Sequence, residues 1–224
     1  MPTDRSSITG VYLLTPDAAG AAFDRVLGIV DLALAAGVKV VQYRNKVADE
    51  RERERQANAL VQLVKSAGGV AIVNDRPALA AAVGADGVHL GRDDGDVREA
   101  RRLLPESLIG VSCYDQLALA EQAVADGADA IAFGSMFPSS TKPGAVRASV
   151  ELLRSARNRW PTRRVIAIGG IDSGNIHEVA EAGAHAAALI SAVFDAEDPQ
   201  RAAAELVHLF NEGQQRHESQ RAAL

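Results

Sequence analysis

One unit recurs along this chain and constrains the fold more than any other feature. Four segments, "LAAGVKVVQ" from 34, "AVGADGVHL" from 82, "ADGADAIAF" from 125 and "EAGAHAAAL" from 181, each pass from an alanine-rich stretch through a glycine into an apolar run. Gly37, Gly84, Gly127 and Gly183 stand where a helix must stop and a strand begin, because glycine enters left-handed backbone without a steric penalty. The apolar runs "VYLLT", "VAIVND", "LIGVS" and "RVIAIGG" bring the strand candidates to eight, with starts near 11, 38, 70, 87, 108, 130, 165 and 186, about 25 residues apart. Stretches between them, such as "FDRVLGIVDLALAAG", "DERERERQANALVQLVKSAG" and "YDQLALAEQAVADG", repeat their apolar residues at three and four, the spacing of an amphipathic helix. The strand candidates are nearly continuous apolar runs, as in parallel strands covered on both faces. Eight such units predict an α/β fold, a (β/α)8 TIM barrel, in one domain over residues 11–211. An open doubly wound sheet would have fewer strands and a glycine-rich first turn. Residues 1–10 are expected to be a flexible segment and 212–224 a polar, frayed tail.

The bulk composition excludes some functions. A formal charge of −5 over 224 residues gives no overall attraction to nucleic acid or an anionic membrane, so any anion site must be local. Cys113 is the one cysteine, which rules out an internal disulfide and suits a reducing compartment. The opening "MPTDRSSITG" has no apolar signal region and no later stretch is long enough to span a bilayer, so the expected location is cytoplasmic. The oligomeric state is left open.

In a barrel of this kind the site forms at the C-terminal ends of the strands. The chemically useful residues fall there. The second strand ends in "QYRNK", and in extended chain Gln42, Arg44 and Lys46 share a face. The third ends in Asn74 and Asp75, the fourth passes through His89 to Asp94, and the fifth ends at Ser112. The sixth leads to "PSSTK" and Lys142, the seventh to Gly169 and Gly170, and the eighth to Ser191. Each has a plainer alternative: solvated charges for "QYRNK", a helix cap for Asp75, a solvated turn for Asp94, a barrel-interior hydrogen bond for His89, packing for Cys113 and a tight turn for the glycine pair. Together they suggest two anion sites. The loops after strands seven and eight are the usual phosphate cradle of such barrels, with Gly170 and Ser191 placed for a monophosphate. Arg44, Lys46 and Lys142 form a cationic cluster beside Asp75 and Asp94, an arrangement suited to Mg²⁺ against a diphosphate.

With these residues assembled, the sequence resembles the thiamine-phosphate synthase family from "VYLLT" to about "ISAVFDAEDP". The shared motifs are Q-x-R-x-K at 42–46, "ND" at 74–75, G-x-H-x-G-x-x-D from Gly87 to Asp94, "GVS" ending at Ser112, P-S-x-T-K from Pro138 to Lys142, "IGGI" from Ile168 and "ISA" from Ile190. The resemblance implies coupling of a hydroxymethylpyrimidine diphosphate to a hydroxyethylthiazole phosphate, with diphosphate released. It implies Gln42, Tyr43, Arg44, Asn45, Lys46, Asn74, Ser112 and Lys142 for the pyrimidine diphosphate, Asp75 and Asp94 for Mg²⁺, and Ser139, Ser140, Thr141, Gly170, Ile190 and Ser191 for the thiazole phosphate. Arg44 and Lys142 would stabilise the leaving group. Three positions depart from the commonest pattern: Ser139 keeps a hydroxyl; Arg92 replaces a glutamine and is either a phosphate contact or solvated; Tyr114 replaces a histidine, which argues against proton transfer there. The rival readings are a thiazole tautomerase of the same superfamily, which would use a histidine where this chain has Ser135, and a non-enzymatic barrel that senses phosphorylated metabolites.

Overall fold

The computed structural model describes residues 4, 7–92, 94–138 and 146–223. Its strands are β1 (Gly10–Leu14), β2 (Val40–Tyr43), β3 (Val70–Asn74), β4 (Gly87–Leu90), β5 (Leu108–Tyr114), β6 (Ala130–Phe133), β7 (Arg164–Ile168) and β8 (Ala186–Leu189). They pair in parallel, each with the next, and β8 closes on β1 through the register Gly10↔Ala186 to Leu13↔Leu189. The outer ring is α1 (Ala22–Ala35), α2 (Glu50–Ser66), α3 (Pro77–Val83), α4 (Val97–Leu103), α5 (Leu117–Ala125), α6 (Val150–Arg159), α7 (Ile176–Glu181), the single turn α8 (Ser191–Phe194) and α9 (Pro199–Ala222). The chain is therefore the expected (β/α)8 barrel.

The strand period divides each strand between two cores. Val11, Leu13, Val41, Tyr43, Val73 and Val88 pack outward against the helices, whereas Tyr12, Leu14, Val40, Ile72, Leu108, Ile166 and Ala188 fill the barrel interior. Side chains alternate across a strand, so continuous apolar runs are what this double burial requires.

The repeated unit shapes the barrel floor. Gly37, Gly84, Gly127 and Gly183 all have positive φ, from 65° to 104°. Two residues beyond the last three of these glycines stand Asp86, Asp129 and His185, which accept hydrogen bonds from the backbone N–H of Ala71, Ile109 and Val165 at 2.9, 3.0 and 2.9 Å. Each satisfies a donor at the start of the preceding strand, which would otherwise be left unpaired. The repeat is thus a stability device at the end of the barrel opposite the rim.

Packing contacts are made by described residues before β1 and after Glu212. Ile8 is 2% exposed and packs in the barrel interior just before β1. Helix α9 continues ten residues past Glu212, because Gly213 fits closely against Ala180 and Gln214 donates to the carbonyls of Ala180 and Ala184 at 2.8 and 2.9 Å.

Candidate active site

Two residues of the first unit fix the position of Arg44. The Thr15 hydroxyl, fully buried, donates to the Arg44 carbonyl and accepts from the Arg44 N–H, both at 2.8 Å. Asp17 accepts from Arg44 Nη1 at 3.1 Å and from the Lys46 N–H at 2.7 Å. Gln42 points into the barrel and donates to the Tyr12 hydroxyl at 3.0 Å. Lys46 is exposed at the rim.

Tyr43 and Asn45 occupy the opposite face, as the strand period requires. Tyr43 packs edge-on against Phe23 and donates its hydroxyl to Gln56 at 3.0 Å; Asn45 donates to the same Gln56 oxygen at 2.8 Å and to the Ala18 carbonyl at 2.5 Å. The Asn45 side-chain oxygen accepts from the N–H groups of Val47 and Ala48. Both residues border the cleft, with their polar atoms committed to holding β2 and its loop on α2.

The carboxylates of Asp75 and Asp94 meet across the ends of β3 and β4. Burial, a hydrogen bond with Asp94 and its negative charge raise the Asp75 carboxyl from 3.8 to about 6, against the opposing pull of Lys46 and Arg44. Asp75 has φ of 64°, and its N–H donates to the His89 carbonyl at 2.8 Å. The N-cap of α3 is Arg76, which makes no side-chain cap bond, so Asp75 is a rim residue and not a helix cap. Asp94 is oriented by the Gly91 N–H at 3.0 Å. Two acids in contact beside two cations suit a divalent ion with oxygen ligands, and the residues present fit Mg²⁺ in that respect. Among the described residues there is no cluster of three or more metal-ligating side chains, so phosphate or water oxygens would complete the shell.

His89 lies at the barrel mouth with Nε2 2.9 Å from the Ser112 hydroxyl, and burial lowers its pKa to about 4. It is a neutral hydrogen-bonding partner of Ser112, the interior reading of the alternatives above. Gly110 makes room for the ring, since a Cβ there would lie 2.6 Å from Nδ1. Arg92 is exposed, the solvated of its two expected settings, and its guanidinium lies 4.5 Å from the centre of the Tyr114 ring. Cys113 is fully buried and its thiol is pushed up to about 12, in keeping with packing.

On the far side of the rim, Gly169 and Gly170 have φ of 99° and 67°, and Asn175 donates to the Gly170 carbonyl at 3.0 Å. The loop after β6 is zipped to this turn: the Met136 N–H donates to Ile168 and that of Phe137 to Gly169, at 3.0 and 2.9 Å. Phe137 and Pro138 therefore lie beside Gly170. Ser139, Ser140, Thr141 and Lys142 fall outside the described residues. Ile190 and Ser191 follow β8 at the same rim.

An open cleft of about 460 Å³ is lined by Tyr43, Asn45, Lys46, Arg53, Asn74, Asp75, Arg76 and Asp94. Arg53 and Arg76, like Thr15 and Asp17, were missed in the sequence. "LTPD" after the first strand was the available signal for the last two, since it places polar residues at a strand end.

Comparison with known proteins decides the family: a family model described as thiamine monophosphate synthase matches residues 11–193. The chain belongs to the thiamine monophosphate synthase family. Among its relatives, the thiamine-phosphate synthase of Halorhodospira halophila is 52% identical over 208 residues, covering 90% of this chain and 94% of the relative. That of Azoarcus sp. is 54% identical over 199 residues, covering 88% and 95%. A solved structure of thiamine phosphate pyrophosphorylase from Pyrococcus furiosus superposes with a TM-score of 0.82 at 33% identity, covering 93% of this chain and 98% of that one. More distant barrels, such as 3-hexulose-6-phosphate synthase from Salmonella typhimurium at 18% identity and a TM-score of 0.71, share the fold alone. The thiamine monophosphate synthase family places this chain among transferases. No helix among its described residues is long and apolar enough to cross a membrane.

Proposed function

We propose that this chain is a thiamine-phosphate synthase that joins 4-amino-2-methyl-5-hydroxymethylpyrimidine diphosphate to 4-methyl-5-(2-hydroxyethyl)thiazole phosphate, giving thiamine phosphate and diphosphate, in the cytoplasm. The observation that carries the reading is the meeting of Arg44 and Lys46 with the Asp75–Asp94 pair at one rim. A diphosphate leaving group needs positive charge where its own charge grows, which Arg44 and Lys46 can supply, and its departure requires no protein nucleophile.

In this mechanism the C–O bond to the diphosphate breaks first, and its electron pair leaves with the diphosphate. The pyrimidine amino group stabilises the resulting methyl cation, and the thiazole nitrogen captures it with its lone pair. Arg44, fixed through Thr15 and Asp17, and Lys142 stabilise the departing group; Gln42, Lys46, Asn74 and Ser112 orient the pyrimidine diphosphate. Mg²⁺ held by Asp75 and Asp94 would supply further charge neutralisation to the diphosphate oxygens. Tyr43 and Asn45 act as the frame of the loop that presents Lys46. Ser139, Ser140, Thr141, Gly170, Ile190 and Ser191 receive the thiazole phosphate, and holding both substrates in line removes the entropic cost of their encounter.

The test is a coupling assay with both purified substrates, with and without EDTA. Thiamine phosphate should form, and EDTA should suppress it. No product at saturating concentrations of both substrates would overturn the reading and leave the tautomerase.

A further inference from the structure

Two arginines on the cleft wall, Arg53 and Arg76, and the Glu50 carboxylate they share have no part in the mechanism above. Glu50, at the start of α2, accepts from Arg53 Nη1 at 2.8 Å and, through both oxygens, from Arg76 Nη1 at 3.1 and 3.0 Å. The two arginines are differently placed. Arg53 has only 12% of its side chain exposed, and its other nitrogens donate to the carbonyls of Ala48 and Asn45 at 2.5 and 3.5 Å. It braces the loop on either side of Lys46 and cannot leave without exposing those carbonyls. Arg76 is 45% exposed, caps nothing with its side chain, and has partners only at Nη1 among the described residues. It follows Asp75 directly and lines the same cleft as Lys46, Asn74 and Asp94.

The Glu50–Arg76 pair is weak by construction. Glu50 is 74% exposed and divides its carboxylate between two guanidinium groups. Exposed pairs of this kind contribute little in water, whereas a guanidinium facing phosphate oxygens makes two charge-assisted hydrogen bonds with its planar fork. Departure of Arg76 would leave Glu50 paired with Arg53, so no buried charge is stranded. Arg44, by contrast, is already shared with Asp17.

We propose that Arg76 is a further diphosphate-binding residue, parked on Glu50 in the free protein and transferred to the diphosphate when it enters the cleft; this rests on the diphosphate reading of the site. Glu50 is then a restraint on binding, and its removal should strengthen affinity through Arg76.

The experiment is a calorimetric titration of inorganic diphosphate with Mg²⁺ into the full-length protein and the variants Arg76→Ala, Glu50→Gln and the two combined. Arg76→Ala should weaken binding by roughly tenfold or more, the scale of a lost charged hydrogen bond. Glu50→Gln should tighten it several-fold, and the double variant should bind like Arg76→Ala. The KM for thiazole phosphate should be unchanged in Arg76→Ala, which separates a diphosphate contact from general damage to the rim. Parent-like affinity in Arg76→Ala overturns the proposal, as does tightening by Glu50→Gln that persists when Arg76 is absent, since Glu50 then acts only through its charge. A parent protein that binds no diphosphate sinks the diphosphate reading itself; one that binds it with Arg76 irrelevant sinks this inference alone.

Discussion

Replacement of Asp75 by asparagine separates stability from function at the centre of the site. In the metal-free protein the Asp75 carboxylate sits against Asp94, which with burial raises its pKa from 3.8 to about 6. The folded state therefore binds a proton more tightly than the unfolded chain between those values, and the linkage has a definite sign. Stability falls as pH rises through about 4 to 6, and the cost is complete at neutral pH. A change from 3.8 to about 6 corresponds to about 3 kcal/mol at 1.4 kcal/mol per tenfold change in proton affinity. The cleft is open to water, and solvent screening reduces this to about 1–2 kcal/mol. Asparagine removes the charge, retains the shape and tolerates left-handed backbone, which matters at φ 64°. Asp75→Asn should thus be more stable than the parent in EDTA at pH 7.5, by roughly 3–6 °C in a thermal melt for a domain of this size. The gain should vanish near pH 4, where the parent carboxyl is protonated. Excess Mg²⁺ should raise the parent's melting temperature by mass action and leave the variant's nearly unchanged, while coupling activity falls. Equal or lower stability of the variant in EDTA at pH 7.5, or the same gain at pH 4, would refute the reasoning.

Two other substitutions probe the rest of the rim. Thr15→Val keeps the side-chain shape but orphans the Arg44 N–H and carbonyl, so urea denaturation should show a loss of about 2–4 kcal/mol, with turnover reduced through misplaced Arg44. Gly170→Ala forces a side chain into left-handed backbone at φ 67° and against the carbonyls of Phe137 and Pro138, and calorimetry should show weakened thiazole phosphate binding with diphosphate binding retained. A further check on the leaving-group role uses Lys142→Ala, which should lower turnover by about 10²–10³ in a steady-state assay with thiazole phosphate affinity unchanged.

Much of the fold could be read directly because its determinants are local. The glycine-ended repeat marks both the helix stop and the strand start, and residues such as Gly84 and Gly127 need only their own dihedral angles to play that part. The candidate site was legible to the extent that it comes from strand ends: Arg44, Asp75 and Asp94 follow β2, β3 and β4, and Ser112 lies in the last residues of β5. What could not be read was which side chains oppose one another. Asp75 had the sequence context of a helix cap, and only its left-handed backbone and contact with Asp94 exclude that role. The departures Arg92 and Tyr114 had no connection along the chain until adjacent β4 and β5 brought them together.

By itself, then, the sequence determined the period of the barrel, the rim on which its polar residues gather and the family to which they correspond. Packing between neighbouring units decided the rest. It brought Thr15 and Asp17 to Arg44 across 29 and 27 positions, turned Tyr43 and Asn45 away to Gln56, and drew Glu50 between Arg53 and Arg76. Strand and helix formation depend on neighbours in the chain, whereas a side-chain hydrogen bond or ion pair between units depends on distance in space, and that distance is set only once the units have packed side by side.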